Sequence, residues 1–142
     1  FNTPNANLVL LVDCSTNDGA IIDSISLISN QASLTSVKVI AFLSVATSGA
    51  GVTATNTLAV AHATVGSSLG DRVNMSLPAL CVPVPNLASP AATAAAYPSE
   101  TDKKNTGIYV PSGATLFVGT SAAISAPSSA SRVNVFAQGG FF

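Results

Sequence analysis

Between Ser36 and Val45 every second residue is apolar: Val37, Val39, Ala41, Leu43 and Val45 fall on one face of an extended chain. Successive side chains of a strand point to opposite faces, so this spacing predicts a β-strand with one face in a core. Lys38 and Ser44 share the other face with Ile40 and Phe42, which predicts a second face that is partly covered. The period of two recurs along the chain, and a helical period is hard to find. In Ala20 to Ser29 the alternation puts Ile21, Ile25 and Leu27 on one face and Ile22 and Ile28 on the other. Val133, Val135 and Ala137 alternate with Asn134, Phe136 and Gln138, and Leu116 and Val118 share a face of Thr115 to Thr120.

Further strands are expected at Asn7 to Cys14, Thr57 to Val65, Arg72 to Leu77 and Gly107 to Val110. Turn residues separate them: Asn17-Asp18-Gly19, Ser48-Gly49-Ala50-Gly51, Gly66-Ser67-Ser68 and Pro111-Ser112-Gly113. About eight short strands between such turns predict an all-β fold, an antiparallel β-sandwich of the jelly-roll kind with two facing sheets. At 142 residues the chain fits one domain, 1–142. Residues 78–104 break the rhythm with five prolines (Pro78, Pro83, Pro85, Pro90, Pro98) and the run Ala91 to Ala96. Proline cannot donate to a ladder, so this stretch reads as a long insert. It is either an arm lying on a neighbouring subunit or a surface excursion between strands.

Only 8% of the residues are charged, against roughly 25% in an average soluble domain, so Ser, Thr, Asn and Ala must cover the surface. Lys and Glu resist burial because their side chains lose entropy and their charges lose water. A surface poor in both has the composition of an interface core, which points to assembly; a Ser/Thr-rich extracellular β-domain is the plainer alternative. The basic residues Lys38, Arg72, Lys103, Lys104 and Arg132 are scattered, so no nucleic-acid partner is expected. Apolar runs such as Leu8 to Val12 fall far short of the ~20 residues of a spanning helix, and no membrane partner is expected.

Catalytic signatures are missing from the sequence. His62 is the single histidine, in a strand with small neighbours, and reads as a residue of the non-core face. Gly66-Ser67-Ser68-Leu69-Gly70 has the Gly-x-Ser-x-Gly spacing, but it reads as a turn between two strands with no helix to follow, so it is not a nucleophile elbow. Asp13, Asp18 and Asp23 fit no EF-hand spacing and read as strand-end and turn residues. Without tryptophan there is little aromatic floor for a glycosidase cleft or a lectin face. The expectation is therefore a protein that is not an enzyme, with no cofactor and no metal. Cys14 and Cys81 read as free thiols at strand positions, with a disulfide as the alternative.

Phe141 and Phe142 follow Gly139-Gly140, read as a flexible pair with no strand to bury the rings. Leaving both rings in water would forfeit about 3 kcal/mol or more, so they either fold back onto the core or insert into a neighbour. Phe1 raises the same question. Together with Pro83, Pro85 and Tyr97 of the insert, these three phenylalanines are the candidate assembly contacts.

The stretch Thr106-Gly107-Ile108-Tyr109-Val110-Pro111-Ser112-Gly113-Ala114-Thr115-Leu116-Phe117-Val118-Gly119-Thr120-Ser121 resembles small virion proteins of tailed bacteriophages, in which a short strand runs through a Pro-x-Gly turn into another strand. Arg132 to Gly139 with its Gly-Gly-aromatic ending, and Asp18-Gly19-Ala20-Ile21-Ile22-Asp23-Ser24-Ile25, are similar to other parts of such proteins. The resemblance covers about half of the chain; the proline-rich insert departs from it. It implies a β-sandwich decoration, or cement, protein on the capsid exterior, assembled in the host cytoplasm. Its partners would be the major capsid protein and itself, as a homotrimer. A neck or tail component and a receptor- or glycan-binding module are the alternatives.

Overall fold

The computed structural model describes residues 8–30, 37–65, 68–78, 106–121 and 133–142. They form eight strands: β1 (Val9–Asp13), β2 (Gly19–Ser29), β3 (Val37–Ser44), β4 (Thr57–Val65), β5 (Arg72–Asn74), β6 (Ile108–Pro111), β7 (Thr115–Thr120) and β8 (Val133–Phe141). A single short 3-10 turn, Gly49–Gly51, is the only helical element among the described residues. The expected all-β sandwich is present, with every expected strand in place.

The first sheet has the order β1-β7-β3-β4, antiparallel throughout. The second is built around β2. β8 pairs with β2 from Ala20 to Ser29 and so fills one edge of it. β6 pairs with Gly19–Ile22 and β5 with Ser26–Ile28, so these two lie end to end along the other edge. The pairs β1–β7 and β2–β6 are nested, as in a two-stranded ribbon rolled into two sheets. The ribbon stays bonded where it crosses between sheets: Cys14 N–H donates to Ala114 O (3.0 Å) and Gly113 N–H to Cys14 O (2.8 Å). Gly113 supplies the positive φ of 80° at the third position of the Pro111–Ala114 turn, which Ala114 N–H closes onto Pro111 O at 3.0 Å. β8 lies outside the nesting, as an added strand on β2.

β5 and β6 run in the same direction along β2. Ser26 faces Asn74 and Ile22 faces Ile108, so four steps along β2 match 34 along the partner. The surplus of 30 residues is the proline- and alanine-rich insert, set into the middle of what is otherwise one strand. Its two stems are clamped together, because Gly107 N–H donates to Pro78 O at 2.9 Å. Beyond Pro78 the insert lies outside the described residues.

The main core lies between the sheets, where Val12, Val39, Ala41, Val65, Leu116 and Val118 meet Ala20, Ile22, Ile25, Leu27, Ile108 and Val110. Burying each larger side chain contributes about 1.5–3 kcal/mol. β2 departs from the expected alternation. Its ladder with β8 slips between Ile22 and Ser24, a bulge that leaves Asp23 without its own partner and reverses the phase of the strand. Ile22 joins Ile25 and Leu27 in the core, and Ile21 turns outward, so the expected grouping of Ile21 with Ile25 and Leu27 does not hold.

A second, smaller core covers the outer face of the first sheet. Phe42, Phe117 and Val52 are buried together, with Leu8, Ile40 and Ala46 packed against them. This is the covered second face expected of β3. The loop that carries Val52 is tied down by Thr115, whose buried hydroxyl reaches Ser44 O (3.1 Å) and Ala46 O (2.7 Å), and by Asn56 Nδ2 donating to Gly51 O (2.9 Å). Val45, read as the last residue of the β3 core face, lies past the strand end and is exposed.

Candidate functional site

β8 is an edge strand. Its inner edge is laddered to β2, and among the described residues nothing pairs with its outer edge. Its nine residues contain no charge and no proline, and Phe136 through Phe141 are exposed. An exposed edge presents unpaired N–H and C=O groups, and folded proteins normally blunt such edges with lysine, proline or a cover. The other sheet's edges differ. β1 is five residues long, bulged, and ends on Asp13, while β4 runs beside β5 across the sandwich.

Gly139 and Gly140 belong to β8 and are not a flexible hinge, because the strand continues to Phe141. A Cβ at Gly139 would collide with the Ile21 carbonyl oxygen and stand 2.8 Å from Ile22 Cα. Glycine is what lets β8 approach β2 at the bulge. The missing side chains also leave a seam between the β1 and β8 edges, a groove of about 180 Å³ lined by Leu11, Val12, Ala20, Ile22, Ala137, the two glycines and Phe141. Val9, Leu10 and Phe141 are exposed on these two strands.

Phe142 folds back across the outer face of the second sheet. Its N–H donates to Gly19 O (3.2 Å) and its ring stacks on Tyr109, with centroids 6.0 Å apart and planes 4° apart. It still remains 58% exposed, and Phe141 62%. So the fold-back occurs for Phe142 on the surface of the sheet, with neither ring in the core. The other candidate contacts, Phe1, Pro83, Pro85 and Tyr97, lie outside the described residues, as does Cys81.

The same outer face carries a shallow groove of about 250 Å³ among Ser24, Ser26, Ile28, Arg72, Phe136, Ala137 and Gln138. Arg72 donates to Ser26 Oγ (3.2 Å), which donates to Asn74 Oδ1 (2.7 Å). Sequence reasoning missed this row because it joins β5 to β2 across 46 to 48 residues.

His62 is exposed on the outward face of β4, opposite Ile40. Among the described residues no three of His, Cys, Asp and Glu lie close enough together to hold a metal ion. Cys14 is a fully buried free thiol. Burial, and secondarily the Asp13 carboxylate, push its pKa above the ordinary thiol value. The Asp13 carboxyl is held below its ordinary value by hydrogen bonds from the Ser15 hydroxyl and from Ser15 N–H, the latter 2.8 Å from Oδ1.

No family model, curated protein or solved structure matches this chain.

Proposed function

We propose that this chain is a non-enzymatic structural component of a protein shell, a capsid decoration protein of the kind its sequence resembles, and that it works by holding neighbouring subunits together. The observation that carries the reading is the β8 edge: nine uncharged residues, an outer edge that no described residue pairs with, and three exposed phenylalanines on or just after it. An edge of this kind is costly to leave in water and is suited to burial against protein. Binding the assembled shell in preference to its separated subunits stabilises the shell by mass action, by about 2.7 kcal/mol per site at a hundredfold excess over the dissociation constant. The test is to strip the protein from purified particles and add it back. Stripped shells are expected to break at lower temperature and to recover on re-addition; equal stability with and without it overturns the reading. A copy number in purified particles of a dozen or fewer favours a neck or tail position.

A second reading takes support from the groove beside Phe136. Arg72, Ser24, Ser26 and Gln138 offer hydrogen-bonding groups around one aromatic ring, a combination suited to a glycan. Binding on a glycan array that is lost with Arg72→Ala favours this reading over the first.

A further inference from the structure

We infer that β8 is the self-association edge of this protein, and that it pairs antiparallel with β8 of a second copy, joining the two β2-centred sheets into one continuous sheet. This rests on the reading of the chain as an assembly component, names one of its contacts, and makes that contact two-fold in place of the three-fold self-association that the resemblance implies.

The occupant of an open ladder edge must itself be an extended strand, because only a strand matches the alternating row of N–H and C=O groups. The choice of a second copy follows from the content of β8. An antiparallel edge pair related by a two-fold axis is complementary to itself, so residue i faces residue j and j faces i. No residue from Val133 to Phe142 is charged, so the approach of two copies sets no like charges opposite one another. Ala137 is the middle residue of β8. With the axis at Ala137, Phe141 faces the partner's Val133, and Gly139 faces the partner's Val135. The second pairing puts a branched side chain where β8 has none, at the gap left by Gly139. Phe136 then faces the partner's Gln138 on the outer side.

The flank is also large enough. A nine-residue strand is about 30 Å long and two packed sheets with their side chains about 20 Å deep, so each copy offers roughly 600 Å² and the pair about 1,200 Å², the lower end of stable interfaces. The exposed Phe141 lies on β8 itself and is covered in the pair. An interface at the low end of that range is of the size found in weak, reversible association.

Sedimentation of the purified chain over a concentration series tests this. The expected result is a monomer–dimer equilibrium, weakened at least about tenfold in the double variant Asn134→Lys, Gln138→Lys, whose new charges face outward and whose circular dichroism should match the parent. Ala137→Cys supplies an independent measure. Two cysteines directly opposite have Cβ atoms about 4.5–5.5 Å apart, close to disulfide range, so in a Cys81→Ser background mild oxidation should give a covalent dimer that the same background with Ala137 intact does not give. A chain that stays monomeric to about 0.3 mM, or oligomers that both lysine substitutions leave unchanged, overturn the inference. A monomer that still protects stripped shells would sink the β8 pairing and leave the shell reading standing. A dimer that protects no shell would do the reverse.

Discussion

Phe142 stacks on Tyr109 across Gly19, with ring planes within 4° of parallel and centroids 6.0 Å apart. The contact pins the end of β8 to β6 over the first residue of β2. Both rings are about half exposed, so the stack is a surface clamp and its energy is modest. A double-mutant cycle of Tyr109→Ala and Phe142→Ala should give a coupling of about 0.5–1 kcal/mol in thermal or urea unfolding. Additive effects would mean that the rings are neighbours without interacting. Removing Phe141 and Phe142 together should leave the β circular-dichroism spectrum unchanged while weakening assembly.

The two glycines of β8 should behave differently on substitution. Gly139→Ala drives a methyl into the Ile21 backbone and is expected to cost about 2 kcal/mol or more, or to displace β8 from the bulge. Gly140 has open space around its missing side chain. Gly140→Ala should be neutral or stabilising by up to about 1 kcal/mol, because it restricts the unfolded chain. Equal urea midpoints for the two variants would contradict the close approach at Gly139.

The clamped stems of the insert predict that it can be removed. Excising residues 79–105 and joining Pro78 to Thr106 through a short glycine linker leaves β5 and β6 in line along β2. Shortening the loop should add about 1–2 kcal/mol by reduced closure entropy, if the excised segment adds no contacts of its own. The expected result is a folded β-protein with an unchanged or raised unfolding midpoint. If the insert is the arm that reaches a neighbour, shell binding falls while stability holds. Loss of the fold would show that the segment belongs to the core.

Cys14 should resist thiol reagents while the protein is folded. It is fully buried at the crossing of two corners, and its raised pKa keeps it protonated near neutral pH. Labelling of Cys14, followed by peptide mapping, is expected only as denaturant unfolds the chain. Rapid labelling in the native state would place the thiol outside the core.

Strand positions were legible in the sequence because alternation and turn residues are local signals. The faces were legible only where the strand is regular. In β3 the inward set of Val37, Val39, Ala41 and Leu43 follows from spacing alone. In β2 one extra residue at Asp23 exchanges the roles of Ile21 and Ile22, and nothing in a run of isoleucine and serine marks the slip. Gly139 and Gly140 read as a flexible pair; the real reason for Gly139 is the proximity of Ile21, a residue 118 positions earlier, and long-range proximity leaves no local trace. For the same reason β5 and β6 read as separate strands, although β2 aligns them as one. Of the candidate site, the exposed phenylalanines were legible, and the open edge beside them was not, because an edge is defined by which strand fails to pair.

Among the described residues β2 pairs with β5, β6 and β8, and none of those three is laddered to another strand. The second sheet is therefore a star with β2 at its hub. Opening β8 breaks one spoke and leaves the others bonded, so amides of β8 should exchange with solvent through a local event of low free energy. Opening β2 cuts every spoke at once, so its amides should exchange only when the whole molecule unfolds. The same molecule thus carries its most replaceable strand directly against its least replaceable one.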